Sequence, residues 1–383
     1  MERIYLDYAA TTPVREEVLS AMLPYLRDNC GNPGSQHYAG RQAKAAIENA
    51  RQSVAEAIGA LPQEIYFTAG GTESNNWVLQ SIAGLSRKKR IAISAIEHHA
   101  VLNPCERLKS EGFDIKELQP DGFGVISPDA IPKDLFESTL LVSVMTANNE
   151  IGTLQPIPEL TAEAKAQGSF FHTDAVQAVG HIPIHVHEWN VDFLSLSGHK
   201  FGAPKGIGAL YIRKGIPLEG FLLGGSQENG RRAGTENVPG IVGLGCAITL
   251  AVRDMEEEGE RLIRYRNRLI EGILSDIPNA RLNGHPTQRL PGNVHFSFEG
   301  IRSDALLARL DMAGIEASAG AACTAGTLTP SHVLKALYPD DQAQQAHLRL
   351  TMGRKTTEAH IEKVLEILPG LVADLRKRRD WNE

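Results

Sequence analysis

The chain is predicted to fold as an α/β protein, a large unit with a mainly parallel sheet covered on both faces, followed by a smaller α+β unit. Three observations carry that prediction. Apolar strand-like runs alternate with helix-like stretches from about residue 64 to residue 213, the pattern that lays crossover helices on both faces of a parallel sheet. After Pro239 a run of small apolar residues passes into a charged stretch with helical periodicity, which marks a change of unit. The 383 residues exceed one average domain, and with 42% apolar they can fill more than one core.

In chain order, the expected strands are Glu64–Phe67, Ile91–Ile96, Leu140–Thr146, Ser169–Thr173, Phe193–Ser197 and Ala209–Ile212, each apolar on both faces. Gly240–Leu250 leads into Ala251–Ile273, where Glu256-Glu257-Glu258 precede a group of arginines; this is expected to be a long helix leaving the large unit. Shorter elements follow at Asn293–Phe298, Ser303–Ala313 and Leu348–Met352, and Thr356–Arg379 reads as a final amphipathic helix. The expected division is a large domain over residues 1–255 and a small one over 256–383, with the segment up to about residue 15 packing on the small one. There is no internal repeat, low-complexity tract or Pro/Ser-rich linker.

Composition excludes several classes. The formal charge is -7, and the basic runs are Arg87-Lys88-Lys89-Arg90 and Arg376-Lys377-Arg378-Arg379, too little for a nucleic-acid surface. No basic region followed by an apolar run opens the chain, and nowhere do 18 uncharged apolar residues follow one another. A soluble cytoplasmic protein without a membrane span is expected. Cys30, Cys105, Cys246 and Cys323 are widely separated, with no C-x-x-C pair, which argues against a disulfide scaffold and leaves room for one reactive thiol. Cys246, in an apolar run, is expected in the core. The thirteen histidines form no H-E-x-x-H cluster, so no metal site is expected.

Three segments carry chemistry. Thr68-Ala69-Gly70-Gly71-Thr72-Glu73-Ser74-Asn75-Asn76 follows a strand and opens a helix. Taken alone it is either a tight turn or a phosphate cup, in which paired glycines admit an anion to the first helical amides and Thr72 adds a hydroxyl. Phe170-Phe171-His172-Thr173-Asp174 puts a carboxylate at the end of a strand, where open α/β sheets hold ligands. Asp174 is there either a helix N-cap or the partner of a pyridine ring nitrogen. Leu194-Ser195-Leu196-Ser197-Gly198-His199-Lys200 ends a strand on a lysine, either a surface lysine or the amine that forms a Schiff base with pyridoxal phosphate. One strand separates Asp174 from Lys200, so both reach the same sheet edge. An amine, a carboxylate and a phosphate cup, each after a strand, are more specific together than any member.

The chain resembles the cysteine desulfurases of the NifS/IscS group, in the class V aminotransferase family, over essentially its whole length. The matching segments are, in order, Tyr5-Leu6-Asp7-Tyr8-Ala9-Ala10-Thr11-Thr12, Gly31-Asn32-Pro33, Gly71-Thr72-Glu73-Ser74-Asn75-Asn76, Glu97-His98-His99-Ala100 and Asn148-Asn149-Glu150-Ile151-Gly152. They continue with His172-Thr173-Asp174-Ala175, Ser195 to Lys200, Arg232-Ala233-Gly234-Thr235, Ala322-Cys323-Thr324 and Arg349-Leu350-Thr351-Met352-Gly353-Arg354. The resemblance implies the aspartate aminotransferase-like fold type I of pyridoxal-phosphate-dependent transferases. It implies that His98 stacks on the cofactor ring and takes part in catalysis, and that Asn149 and Gln177 contact the ring's substituents. Gly71, Thr72, Ser197 and His199 would hold the phosphate, with Thr235 reaching it from the partner subunit of a homodimer. Arg349 would pair with a substrate carboxylate, a structural salt bridge being the alternative, and Asn32 and Asn149 would assist.

Cys323 decides the reaction. It stands in Ala317 to Thr327, a run of small residues with little apolar area to pin it, which suits a thiol that approaches a substrate and then hands on a product. The implied reaction starts with Lys200 holding pyridoxal phosphate, being displaced by L-cysteine and then removing the Cα proton. The Cys323 thiolate takes the substrate sulfur as a persulfide, alanine leaves, and a sulfur acceptor such as an iron–sulfur scaffold or a tRNA-thiolation enzyme receives the sulfur. A selenocysteine lyase or another class V aminotransferase shares Lys200 and Asp174 without needing the thiol. A non-catalytic sulfur relay would not need all three residues, and a dehydrogenase lacks its G-x-G-x-x-G. Ser226, Asn229, Ala319 and Ala321 depart from residues common in the group, and the chain ends soon after its last helix, which leaves the sulfur acceptor open.

Overall fold

The structure is a computed structural model and describes residues 3–132, 135, 138–320, 331–341 and 345–379. The chain opens with β1 (Ile4–Tyr5), α1 (Glu16–Arg27) and α2 (Tyr38–Ile58), then runs through β2 (Ile65–Thr68), α3 (Gly71–Ser81), β3 (Arg90–Ser94), α4 (His99–Ser110), β4 (Asp114–Leu118) and β5 (Thr139–Ser143). It goes on with α5 (Ile157–Ala166), β6 (Phe170–Asp174), β7 (Phe193–Ser197), β8 (Gly208–Ile212) and the long α6 (Val238–Asp276). The last third holds β9 (Ala280–Leu282), β10 (Asn293–Glu299), α7 (Ser303–Met312), β11 (Ile315–Glu316), α8 (His332–Leu337), β12 (Gln345–Thr351) and α9 (Glu358–Arg379).

Seven strands form the central sheet in the order β2-β8-β7-β6-β5-β3-β4. From β7 across to β4 all neighbours are parallel, while β8 runs antiparallel to β7 and to β2. The sheet is therefore mainly parallel, as expected. Alternation along β7 shows why both faces are covered. Phe193 enters a core with Trp77, Ile91 and Val101, and Leu194 and Leu196 enter the opposite core with Val54, Phe171 and Leu244. Each fully buried side chain of this size contributes about 1.5–3 kcal/mol relative to exposure.

A third core is built from β10, β12, α7 and α9, with Phe296, Phe298, Leu348 and Leu368. Helix α6 serves both ends, since Ile241, Leu244 and Ile248 lie in the sheet core and Leu262, Leu269 and Ile273 in the third. β1 pairs in parallel with β11, and Ile4 and Leu6 join the same third core. The first part of α6 is long and apolar enough to cross a membrane by length and composition, but half of that window is buried inside the protein. There α6 packs on α1 and α2.

Several expectations need adjustment. β7 has the expected bounds, whereas the other expected strands of the sheet begin or end one to three residues away. Ala95 and Ile96 have left the sheet for the turn into α4, and Glu64 belongs to a 3-10 turn. Cys246 is half-buried against the rim of the core rather than inside it, because it lies off the buried stripe of α6.

Candidate active site

Lys200 closes a 3-10 turn, Gly198–Lys200, just beyond the end of β7. β6 runs beside β7 in parallel with Asp174 opposite Ser195, so strand direction delivers Asp174 and Lys200 to one carboxyl edge. The Lys200 Nζ donates to the carbonyls of Ala9 at 2.6 Å and Ala10 at 3.0 Å. Gln177 Nε2 donates to the same Ala9 carbonyl at 2.9 Å. Thr12 Oγ1 donates to the His199 carbonyl, and the His199 ring meets Thr11 Oγ1 at 3.1 Å. The segment from Asp7 to Thr12 is thereby tied across the lysine turn.

Burial pushes the Lys200 amine down to about 8, with Arg349 adding to the effect and Asp174 and Asp7 opposing it. At pH 8 about half of such an amine is neutral, against roughly 0.3% at its ordinary value. Acetylation of the cofactor-free protein by limiting acetic anhydride, followed peptide by peptide in the mass spectrometer, is expected to label Lys200 with a midpoint near pH 8. A midpoint near 10.5, the ordinary lysine value, would contradict this environment.

Asp174 is buried, and both its oxygens are held: Oδ2 accepts from Asn75 Nδ2 at 2.6 Å and Oδ1 from the Val176 amide at 2.9 Å. The second bond caps a run of turns rather than the helix considered for Ala175–Val179. His98 is the N-cap of α4, its Nδ1 accepting from the Ala100 amide at 3.0 Å. Burial lowers its pKa, Asp174 opposes that and Lys200 adds to it, which favours a neutral imidazole. Behind the edge, His172 in β6 spans Ser143 of β5 at 2.8 Å and Ser195 of β7 at 3.0 Å. Complete burial drops that ring to about 3, so it works as a neutral strut between three strands. Glu97 Oε1 accepts from the Met145 amide at 2.6 Å, its Oε2 has no partner among the described residues, and burial first and Asp174 second hold the carboxyl well above the usual range.

The cup is formed where β2 gives way to α3. Gly70 has φ +151°, a conformation that favours glycine, and a Cβ on Gly71 would fall 2.4 Å from Val176 Cγ2. The Cβ position of Gly70 lies 3.4 Å from Ser197 Oγ, so the end of β7 meets the opening of α3. First-turn amides have no acceptor within the helix and face its N-terminal end with the positive pole of the helix dipole. Thr72 is exposed in that first turn. Glu73, in the same turn, is neutralised by Arg232, whose Nε and Nη2 reach it at 2.9 and 3.3 Å. Thr235, three residues past Arg232, is exposed and makes no contact with this cup among the described residues. An anion cradle, a desolvated amine and a fixed carboxylate at one edge fit a phosphorylated pyridine aldehyde.

On the other side stands Arg349 of β12. Its Nη2 pairs with Asp7 Oδ1 at 2.8 Å, and its Nη1 donates to the carbonyls of Asn149 at 2.8 Å and Gly320 at 3.5 Å. The structural salt bridge therefore exists, yet among the described residues the buried Nε has no acceptor. Asn32 is exposed, accepts from the Gly34 amide at 2.9 Å and makes no contact with Arg349. Cys323 lies outside the described residues. Asp7, Asn75 and the Ala9 and Ala10 carbonyls were not singled out by sequence reasoning; the Tyr5 to Thr12 match was the available signal for three of them.

What converges here is equipment for a pyridine ring with a phosphate arm, and the class this defines is the pyridoxal-phosphate-dependent enzymes. The chain belongs to the class V aminotransferase family, whose description, Aminotransferase class-V, matches residues 4–364. It is 52% identical to the Cysteine desulfurase IscS of Methanosarcina thermophila over 97% of this chain and 93% of that one. Among solved structures, a NifS-like protein superposes with a TM-score of 0.89 at 36% identity, covering 97% of this chain and 100% of that one. SspA in complex with cysteine superposes with a TM-score of 0.79, also at 36% identity, over 92% of this chain and 100% of that one.

Proposed function

We propose that Lys200, Asp174, His98 and Cys323 carry out the reaction of a cysteine desulfurase. The chain is a pyridoxal-phosphate-dependent enzyme that takes sulfur from L-cysteine and leaves alanine. The observation that carries the assignment of roles is the desolvated Lys200 amine at the same sheet edge as Asp174.

When bound, pyridoxal phosphate supplies an electron sink for charge developing at the substrate Cα. Gly71, Thr72, Ser197 and His199 hold its phosphate, and Thr235 of a second copy completes the set. Asp174, kept in place by Asn75 and the Val176 amide, would face the ring nitrogen. His98 offers a neutral ring for stacking, and Asn149 and Gln177 contact the substituents. Arg349 holds the substrate carboxylate with the donors that Asp7 and Asn149 leave free, and Asn32 assists from the opposite side. Lys200, neutral in part near pH 8, removes the Cα proton. The Cys323 sulfur then forms a bond to the substrate sulfur as the substrate Cβ–Sγ bond breaks, its electron pair staying on carbon. The hydrogen lost from the Cys323 thiol is balanced by the one Cβ gains in alanine.

We assign the sulfur so carried to an acceptor protein of iron–sulfur assembly or tRNA thiolation, in the cytoplasm. The working unit is a homodimer, a reading supported by Leu222 and Leu223 in the loop leading to Thr235, the latter 88% exposed. Residues 1–255 and 256–383 form its large and small domains, with the segment up to about residue 15 on the small one.

The direct test is incubation with L-cysteine, measuring alanine and one added sulfur on the Cys323 peptide; amino transfer to a keto acid without that sulfur would overturn the reading. Arg349→Lys removes the planar fork, and KM for L-cysteine is expected to rise at least about tenfold, with kcat falling less. An unchanged KM would take Arg349 out of substrate binding.

A further inference from the structure

Glu150 follows Asn149 in the turn after β5 and is almost fully buried, yet no step above uses its carboxyl. It lies between the two ends of the segment that carries Cys323. At the far end, Ser331 Oγ donates to Glu150 Oε2 at 2.6 Å and accepts from the Leu334 amide at 3.2 Å, which caps α8. His332, the next residue, donates from Nε2 to the Glu97 carbonyl at 2.9 Å. At the near end, Gly320 has φ +94°, and a Cβ there would stand 3.4 Å from the Glu150 Cβ and 3.1 Å from His295 Nε2. His295 Nε2 donates to the Ala319 carbonyl at 3.2 Å, its tautomer set by Asn283 Nδ2 donating to Nδ1 at 2.8 Å.

The turn that bears Glu150 is itself fixed. Its amide donates to Asn148 Oδ1 at 2.9 Å, and its carbonyl accepts from Asn293 Nδ2 at 3.2 Å. Arg349 Nη1 joins the Asn149 and Gly320 carbonyls across the same gap. One turn, held by these bonds, thus carries Asn149, whose carbonyl meets Arg349, and, through the next residue, meets both ends of the nucleophile's segment.

We propose that Glu150 is a positioning residue for sulfur transfer, its carboxyl holding Ser331 and its side chain backing Gly320, so that both ends of the Cys323 segment are registered to the turn that carries Asn149. This rests on the reading of Cys323 as the nucleophile. Registering the two described ends sets where the chain leaves this turn and returns to it, the kind of positioning on which a productive approach depends. Proton chemistry at Cα, which belongs to Lys200, does not depend on it.

Two readouts separate the steps. Exchange of the L-alanine Cα hydrogen with deuterated water, followed by NMR, needs Lys200 and not Cys323, whereas single-turnover persulfide formation needs both. In the cofactor-loaded enzyme, Glu150→Ala and Ser331→Ala are each expected to slow persulfide formation at least about tenfold, the effect of leaving a buried polar group without its hydrogen-bond partner. Cα exchange should stay within about twofold of wild type. Glu150→Gln keeps an acceptor for Ser331 and should restore most of the rate, and the double alanine variant should be no slower than the slower single one. Equal losses in both readouts would reduce Glu150 to a general structural residue, and unchanged persulfide formation in both alanine variants would overturn the inference. Wild-type enzyme that forms no persulfide on Cys323 would instead sink the desulfurase assignment on which it stands.

Discussion

Lys200→Ala is expected to lower alanine formation from L-cysteine by at least about a thousandfold, because one side chain is asked both to anchor the cofactor and to move the Cα proton. Borohydride should trap a covalent link between the cofactor and the Lys200 peptide in the wild type and none in the variant. The loss is separable from misfolding by a stability argument whose sign is fixed by the amine. Its pKa is about 8 in the folded chain against an ordinary 10.5. Below pH 8 the cofactor-free fold must therefore carry a charged amine that water would hold better, at a cost on the order of 3 kcal/mol at most. That cost fades as pH rises from 8 toward 10.5. Wild type should accordingly gain stability relative to cofactor-free Lys200→Ala as pH rises from 8 to 10.5, whatever fixed difference the lost bonds to Ala9 and Ala10 add, as measured by urea unfolding. A variant that is inactive and also much less stable at pH 7 would mean that Lys200 serves the fold.

The parts of this site that were legible in the sequence are those where chemistry sits in a side chain directly after an apolar run. Asp174 and Lys200 end β6 and β7, and Gly71 opens α3, so a strand pattern and a residue type sufficed. The bonds that complete the site were not legible. Lys200 meets backbone carbonyls of Ala9 and Ala10, which carry no residue signature, and Asp174 meets Asn75 from another strand–helix unit. Arg349 offered two readings, a substrate fork or a salt bridge. The bond to Asp7 shows that the second is met, and among the described residues it leaves the Nε donor uncommitted.

The fold was legible on the same terms. β7, buried on both faces, announced its own limits, while β4 escaped notice because it is an edge strand bearing Asp114, Lys116 and Glu117, the charges that keep edges from pairing further. Helix α1 was passed over although Val18, Leu19, Met22, Leu23 and Leu26 recur at helical spacing; in the structure Leu19, Leu23 and Leu26 of that stripe are exposed, Leu26 by 57%, and Val18 is its buried residue.

Cys323→Ala is expected to abolish persulfide formation and to cut alanine release from L-cysteine at least about a hundredfold, while the bound cofactor keeps its colour and Cα exchange of L-alanine continues. The second half of that expectation is what divides the two chemistries, since Lys200 and Asp174 remain. Two of the three described thiols are poorly suited to substitute. Burial pushes the Cys105 thiol up to about 12, which denies it the thiolate that attack requires. Cys246 is half-buried against the sheet core and its thiol is raised by the same cause, and Cys30 is exposed in the connection between α1 and α2. Peptide masses for all four cysteines after a single turnover with L-cysteine should therefore show the added sulfur on Cys323 in the wild type and on none in the variant. Alanine formed at the wild-type rate by Cys323→Ala would remove the nucleophile from the mechanism and move the chain toward a lyase that shares its lysine and carboxylate, in which the Cβ–S bond breaks without a protein thiol to receive the sulfur.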